Sequence, residues 1–231
     1  MITTDAEIRI EKELSETLFI LSVKLEKYKE WIPGTFMQIS LDKKNASEPW
    51  LDSKAFSFAS WGCEKASILV RKGGNFTTAL ISKAKEGFTT TVRYPFGNFW
   101  LKSKLDMALI AGGAGISVFL SFLDYLNEKN DPSQKILLFY SARRQCEILK
   151  KIYQKSLANN LFLNQFITDR NDPDYTGRLT IKTLVDSIKD LNNFEFYICG
   201  PPEFNNYWIE NLKVFSIIPK LEQWQNRGNG E

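Results

Sequence analysis

The chain has 231 residues, of which 43% are hydrophobic and 25% charged, with a formal net charge of +3 and no histidine. This composition is typical of a globular protein with one large or two compact domains. The small, scattered charge gives no support for nucleic-acid binding. The absence of histidine excludes Ser-His triads and most zinc sites, so we expect the chemistry to come from a bound organic cofactor.

The same residues give little sign of a membrane or metal protein. No apolar run reaches the ~20 residues that a membrane helix needs, and the first residues lack the pattern of a signal peptide. Cys63, Cys146 and Cys199 are too far apart in sequence for a Cys-x-x-Cys motif, and three thiolates cannot supply the four ligands of an iron–sulfur cluster. We expect a soluble, cytoplasmic protein without a metal site; the oligomeric state is left open.

Residues 1–102 predict an antiparallel β-barrel. Short β-branched and apolar runs recur there, separated by turn residues such as Pro33-Gly34. One helix is predicted over 77–85, ended by Gly87. The predicted strands are 18–25, 36–41, 54–59, 66–71 and 89–94.

Residues 103–231 predict a second domain of the α/β class. The predicted strands are 107–111, 135–140, 160–167 and 194–199, and the predicted helices are 116–128, 147–157, 181–188 and 203–212. Strands that alternate with helices predict a parallel sheet with helices on both faces. We therefore expect a two-domain fold, with the boundary after Lys102.

A glycine loop, Gly112-Gly113-Ala114-Gly115, lies between a predicted strand and a predicted helix. Glycines let backbone N–H groups approach a diphosphate, and a helix N-terminus favours negative charge. The pattern is not the Gly-x-Gly-x-x-Gly fingerprint of dinucleotide-binding folds. The loop therefore indicates a nucleotide site, with a purely structural tight turn as the alternative.

Two further motifs follow predicted strands of the same domain, at the ends where open α/β sheets bind ligands. Cys199-Gly200-Pro201-Pro202 forms a stiff loop, although a free cysteine is often simply a small buried side chain. Ser141-Ala142-Arg143-Arg144 offers two guanidinium groups that suit a ribose phosphate. A solvated helix start is the alternative for the arginines.

In the β half, Lys54-Ala55-Phe56-Ser57 offers a cation for phosphate, an aromatic face for a flat ring and a hydroxyl group. By itself, this segment is also an ordinary alternating strand.

Taken in order, these motifs resemble the ferredoxin–NADP reductase family of flavoproteins over nearly the whole chain. Residues 54–57 are similar to its Arg-x-Tyr-Ser flavin motif and 74–77 to its Gly-x-x-Ser/Thr phosphate motif. The other similar segments are Pro33–Phe36 (Pro-Gly-Gln-Phe), Tyr94–Phe99 (Gly-Pro-x-Gly-x-Phe), Gly112–Ser117 (Gly-Gly-x-Gly-Ile-Thr/Ser), Cys199–Pro201 (Cys-Gly-Pro) and Glu222–Trp224 (Glu-x-Phe).

The resemblance implies two cofactors and their binding residues. FAD is the expected flavin, with FMN as the alternative, and its implied binding residues are Lys54, Ala55, Phe56, Ser57, Gly74, Phe76 and Thr77. NADP(H) is expected over NAD(H), because a 2′-phosphate needs a cation and Arg143 and Arg144 can supply one. The expected nucleotide-binding residues are Gly112, Gly113, Gly115, Ile116, Ser117, Ser141, Arg143, Arg144, Cys199, Gly200, Pro201 and Trp224. The implied catalytic residues are Ser57, Cys199 and Glu222.

The implied activity is hydride transfer from NAD(P)H to the flavin, followed by electron transfer to a separate acceptor such as ferredoxin or a component of an oxygenase or other redox complex. An electron-transfer subunit that works only within a complex, and a flavin-less binding module of the same fold, are the alternatives. Lys54 replaces the family's arginine and Phe56 its tyrosine, so we expect weaker flavin binding.

Overall fold

The computed structural model describes residues 1–129, 134–148 and 160–222. Its first sheet has six antiparallel strands in the order β4-β3-β6-β1-β2-β5. A bridge between Phe58 and Ile68 brings the two edges together, so the sheet forms a nearly closed barrel. The strands are β1 Ile2–Ser15, β2 Leu18–Leu25, β3 Phe36–Ile39, β4 Lys54–Ser57, β5 Lys65–Arg71 and β6 Phe88–Phe96, and helix α1 Asn75–Glu86 connects β5 to β6.

The barrel confirms the predicted N-terminal architecture, although its strands differ from the prediction in several places. Strands β3 and β4 each end two residues before the predicted ends at 41 and 59. The long strand β1 was not predicted from the sequence, and it pairs with both β2 and β6. Strand β6 continues to Phe96 through a cis Tyr94–Pro95 peptide bond, whereas the sequence predicts a break at Pro95. The barrel core is rich in aromatic rings, and Trp31 stacks on Phe58 with ring centroids 4.2 Å apart.

The second sheet has five parallel strands in the order β11-β10-β7-β8-β9, which confirms the predicted α/β architecture. Helix α2 packs on one face, and α3 and α4 pack on the other. Because the strands are parallel, all their carboxyl ends meet at one edge of the sheet. The elements are β7 Asp106–Gly112, α2 Ile116–Lys129, β8 Ile136–Ala142, β9 Leu161–Ile167, α3 Ile181–Ser187, β10 Phe194–Cys199, α4 Pro202–Lys213 and β11 Lys220–Glu222.

The predicted helix over 147–157 does not begin where expected. Glu147 ends a short 3₁₀ turn that starts at Gln145, and Ile148 has extended backbone angles. Residues 149–157 lie outside the described residues. None of the described helices is long and apolar enough to span a membrane. The domain boundary after Lys102 stays a prediction; Lys102 lies between β6 and β7.

One buried apolar cluster joins the barrel to the parallel sheet. It includes Leu18 and Leu69 of the barrel together with Phe119 and Leu120 of α2. Close packing of this kind transmits small displacements, because interiors hold few voids. The barrel and the carboxyl edge of the parallel sheet are therefore held in a fixed relation to each other.

We predict that Phe119→Ala destabilises the protein by about 3–5 kcal/mol, because the large ring is lost from a fully buried position. Urea unfolding followed by circular dichroism measures this change. The control is Leu51→Ala, since Leu51 is 95% exposed and surface changes of this kind fall within about 0.5 kcal/mol. Equal effects of the two substitutions would show that the shared cluster does not stabilise the fold.

Candidate functional site

The glycine loop rests directly against the end of β10. Strand β7 ends at Gly112, residues 113–115 form a 3₁₀ turn, and α2 begins at Ile116. A Cβ atom on Gly115 would lie 2.2 Å from the carbonyl oxygen of Cys199, which no side chain tolerates. Glycine is therefore required there, and the structure brings together the two motifs that the sequence singled out.

Phe204, in the first turn of α4, lies against the same two strand ends. A Cβ on Gly112 would approach its ring to 3.1 Å, and a Cβ on Gly200 would approach it to 2.5 Å. No role for Phe204 was predicted from the sequence. Its position shortly after the Cys-Gly-Pro segment was the available signal.

Cys199 and Glu222 lie side by side on neighbouring strands. Cys199 is fully buried, and its partner in the parallel register of β10 and β11 is Glu222. Burial raises the pKa of Glu222 to about 7. The side-chain amide of Asn205, in α4, donates a hydrogen bond to the backbone carbonyl of Glu222 at 3.4 Å. The edge thus carries a carboxyl group that changes charge near neutral pH.

We predict that the raised pKa of Glu222 makes folding stability fall as pH rises. The folded chain holds this proton up to a pKa of about 7, whereas the unfolded chain releases it near the ordinary glutamate value of about 4.3. The contribution of the Glu222 proton to folding stability is thus fully present below the pKa that Glu222 has in the unfolded chain. It is lost as the pH rises through the folded-state pKa of about 7.

Urea unfolding of the wild type and of Glu222→Gln at pH 5, 6, 7 and 8 tests this prediction. The wild type should lose stability relative to the variant across that series. A constant difference between the two proteins at all four pH values would contradict it.

Ser117 carries a buried hydroxyl group in the first turn of α2. The residue is 1% exposed, and its Oγ has no hydrogen-bond partner among the described residues. Because buried polar atoms nearly always have a partner, this hydroxyl fits a site that is completed by a ligand. The neighbouring Ile116 is a fully buried core residue.

Arg71 reaches the glycine loop from the barrel, and no role for it was predicted from the sequence. Its Nη2 and Nε atoms would lie 3.6 and 3.8 Å from a Cβ on Gly113. On its other side, the guanidinium group pairs with the buried Glu147 at 3.0 Å. No local signal marks this residue, because the contact joins the end of a barrel strand to a loop of the other sheet.

The residues predicted to bind flavin lie in β4 and at the start of α1. The Nζ of Lys54 lies 5.9 Å from the ring centroid of Phe76. Lys54 is exposed and forms no ion pair with another described residue. An ammonium group that lacks an ion-pair partner among the described residues and lies beside a partly buried ring fits a phosphorylated aromatic ligand. Ala55 is exposed and Ser57 is buried.

Phe56 differs from the expectation that it offers an open aromatic face to a flat ring. Its side chain is 4% exposed and belongs to the barrel core, with its ring centroid 6.2 Å from that of Phe76. The reason is its pairing opposite Met37, another core residue of the barrel. Stacking needs an open ring face, and Phe76 is the less buried of the two rings.

The Gly-x-x-Thr segment forms local hydrogen bonds between its threonine side chain and the preceding backbone at the start of α1. The Oγ1 of Thr77 accepts hydrogen bonds from the backbone N–H groups of Gly73 and Gly74, at 3.1 and 3.2 Å. The same hydroxyl group can donate to the carbonyl of Gly74 at 3.2 Å. A phosphate at this helix start would replace Thr77 as the acceptor for those N–H groups.

The arginines after β8 are already paired. Arg143 and Arg144 are exposed, and both contact the carboxylate of Asp169, at 3.8 and 3.3 Å. A backbone N–H from Asn171, followed by Arg144, holds the pKa of Asp169 below its usual range. Ser141 lies beside Gly112 in the sheet register. A phosphate must therefore compete with Asp169 for these two side chains.

Pro201 and Trp224 are the two remaining residues that were predicted from the sequence. Pro201 is exposed and precedes α4, where its carbonyl oxygen accepts the backbone N–H of Asn205. Trp224 lies outside the described residues.

Comparison with known proteins agrees with this arrangement. A family model described as the oxidoreductase NAD-binding domain matches residues 109–208, a range that contains the glycine loop and the Cys-Gly-Pro segment. The 2-halobenzoate 1,2-dioxygenase electron transfer component of Burkholderia cepacia is 28% identical, over 92% of this chain and 62% of the relative. Residues 109–208 of this chain are thus similar to the NAD-binding domains of oxidoreductases.

Two further matches cover most of both chains. The probable dihydroorotate dehydrogenase B (NAD(+)) electron transfer subunit of Pyrococcus furiosus is 27% identical, over 96% of this chain and 81% of the relative. The crystal structure of a ferredoxin NADP+ reductase from Neisseria gonorrhoeae, with bound FAD and NADP, has a TM-score of 0.75 at 16% identity and covers 97% of this chain and 94% of its own. By contrast, the chain spans only about three fifths of the dioxygenase components that it matches.

Proposed function

We propose that the chain is a flavin-dependent NAD(P)H oxidoreductase that passes electrons to a separate acceptor protein. The observation that carries the proposal is the convergence of the glycine loop, Ser117 and Cys199 at one edge of the parallel sheet, with Arg71 of the barrel facing the loop. In such enzymes, the nicotinamide supplies a hydride, and the flavin accepts it and releases electrons singly.

The residues at this edge are proposed to contact different parts of the nucleotide. The glycine loop and the N-terminus of α2 favour a diphosphate, and the exposed edge of the Arg71 guanidinium adds a positive charge. The unpartnered hydroxyl of Ser117 offers a hydrogen bond to the ligand. Cys199 and Glu222 form a wall with little charge when the carboxyl is protonated, which suits an uncharged dihydronicotinamide ring.

The barrel is the proposed flavin-binding half. Lys54 supplies a cation for the flavin phosphate, and Phe76 supplies the partly open aromatic ring beside it. Ser57, Gly74 and Thr77 complete the proposed contacts. We propose FAD over FMN and NADPH over NADH; Arg143 and Arg144 are the cations for a 2′-phosphate.

The acceptor is proposed to be a ferredoxin or an oxygenase component. The Burkholderia cepacia relative is an electron transfer component of a dioxygenase. The name of the Pyrococcus furiosus relative, an electron transfer subunit, favours a second candidate function, a subunit that transfers electrons only within its complex. A dye-reduction assay with the isolated chain separates the two, since only an autonomous reductase turns over without a partner.

We predict that the protein binds FAD, shows flavin absorbance and is bleached by NADPH under anaerobic conditions. Lys54→Ala should raise the dissociation constant for FAD about tenfold, because a charge-assisted phosphate contact contributes on the order of 1.5 kcal/mol. Ultraviolet–visible titration measures both effects. The control is Lys65→Ala, another exposed lysine of the barrel. If the protein remains colourless after incubation with FAD and removal of the unbound FAD, the chain is a flavin-less module and the proposal is refuted.

We predict opposite effects of two changes at the arginines. The pair Arg143→Ala and Arg144→Ala should raise the KM for NADPH about tenfold and leave that for NADH nearly unchanged. Asp169→Asn should lower the KM for NADPH, because it releases both guanidinium groups from their ion pairs. Steady-state kinetics with both nucleotides measures the ratio. Equal changes for NADPH and NADH would show that the arginines do not contact a 2′-phosphate.

A further inference from the structure

A buried carboxylate connects the barrel to the nucleotide edge. We propose that Glu147 is a positioning residue, which holds the Arg71 guanidinium against Gly113 in the orientation that binds a diphosphate. The inference rests on the proposed function and assigns a residue that acts on the nucleotide through Arg71.

The surroundings of Glu147 are polar but closed to solvent. The residue is 1% exposed, and a carboxylate at such a depth must be paired and hydrogen-bonded. Its Oε1 accepts from the hydroxyl of Ser15 at 3.0 Å and from Arg71 Nη1 at 3.3 Å. Its Oε2 accepts from Arg71 Nη2 at 3.0 Å and from the backbone N–H of Arg143 at 3.2 Å.

These contacts leave one edge of the guanidinium free. Arginine has five N–H donors in a rigid fork. Nη1 donates to Thr17 at 3.0 Å and to Glu147, and Nη2 donates once to Glu147. Among the described residues, no acceptor takes the Nε hydrogen or the second Nη2 hydrogen. Nε and Nη2 are also the Arg71 atoms that lie nearest to Gly113, so the fork points its unused pair of donors at the glycine loop.

The same carboxylate spans both halves of the molecule. Ser15 and Arg71 belong to barrel strands, whereas Arg143 follows β8 of the parallel sheet. One side chain therefore fixes both the barrel cation and the backbone of the segment that carries Arg143. Burial, followed by the charge of Glu147, raises the pKa of the neighbouring Tyr140 hydroxyl.

Two possible roles of Glu147 predict opposite effects on diphosphate binding when its charge is removed: repulsion of the diphosphate, and orientation of Arg71. A carboxylate near a diphosphate repels it, so charge alone predicts tighter binding when Glu147 is neutralised. Position predicts weaker binding. In Glu147→Gln, an amide oxygen can replace only one carboxylate oxygen. The amide NH₂ group then takes the place of Oε2 and faces the N–H groups of Arg71 and Arg143 that donate to Oε2 in the wild type. Because two donors cannot pair, the Arg71 guanidinium is no longer held in its orientation against Gly113.

The test measures ADP-ribose binding by isothermal titration calorimetry, because this ligand carries the diphosphate but no nicotinamide ring. Glu147→Gln and Glu147→Asp should each raise the dissociation constant about tenfold, the equivalent of losing one oriented charged contact. In the flavin-loaded protein, KM for NAD(P)H should rise by a similar factor, while kcat and flavin absorbance change little. The matched control is Ser121→Ala, which removes another hydrogen bond between the two halves, from Ser121 Oγ to the Ser60 carbonyl at 2.9 Å.

A double-mutant cycle tests whether Glu147 acts through Arg71. In an Arg71→Gln background, Glu147→Gln should cause little further loss, because the two residues act as a unit. The double variant also removes both members of the buried pair, which proteins tolerate better than removal of one. If Glu147→Gln alone does not fold, Glu147→Asp and the double variant still carry the test.

The outcomes separate this inference from the proposed function. Wild-type protein that neither binds ADP-ribose nor oxidises NAD(P)H would refute the proposed function. Wild-type protein that binds ADP-ribose, with a Glu147→Gln variant that binds it equally or more tightly, would overturn the positioning role alone. A loss of the same size in Ser121→Ala would also overturn it, because the effect would then belong to the whole interface.

Discussion

The close approach of the Gly113–Gly115 turn to the end of β10 governs the arrangement at the edge of the sheet. Because Gly115 has no side chain, its Cα can rest on the backbone of Cys199 and Gly200. Helix α2 then begins directly above the sheet edge, and Ser117 comes into its first turn. A single Cβ at Gly115 would separate β7 from β10 or tilt α2. Either shift would move the helix N-terminus that favours an anion.

The apolar cluster around α2 extends this constraint to the barrel. Residues such as Leu69 pack in the same cluster as Phe119, and Arg71 follows Leu69 on the same strand. The position of Arg71 at the glycine loop is therefore set by hydrophobic packing, and its orientation is set by the buried Glu147. Hydrophobic packing can set the position of Arg71 but not its orientation, because packing is strong but non-directional. A bidentate ion pair fixes the direction of the guanidinium group.

Local signals in the sequence predicted most of the fold. Strand β2 has the predicted bounds, Leu18–Leu25, because its β-branched and apolar residues are buried along most of its length. The glycine loop and the Cys-Gly-Pro segment were also found, since glycine and proline restrict the backbone locally. Strand β1 was missed because its second half carries alternating charges that resemble a solvated segment.

The remaining features depend on contacts between residues that are distant in sequence. The pair of Arg71 and Glu147 joins residues 76 positions apart, and neither side chain stands out from the other charged residues in the chain. The burial of Phe56 follows from its pairing with β3, which a single alternating strand does not reveal. A resemblance in motif can therefore suggest a residue's role without fixing the direction of its side chain.

On the proposed function, the distribution of charge along the site explains why the chain can lack histidine. Arg71 and the N-terminus of α2 place positive charge at the loop that would hold the diphosphate, where charge neutralisation is the main requirement. The other end is lined by the buried Cys199 and by Glu222, whose pKa of about 7 reflects a poorly solvated position. Hydride transfer requires two rings in contact at roughly 3–3.5 Å and in the correct orientation, more than it requires a side-chain base. A rigid, weakly polar wall beside a positively charged loop meets that requirement, since the loop fixes one end of the nucleotide and the wall limits where the ring can lie.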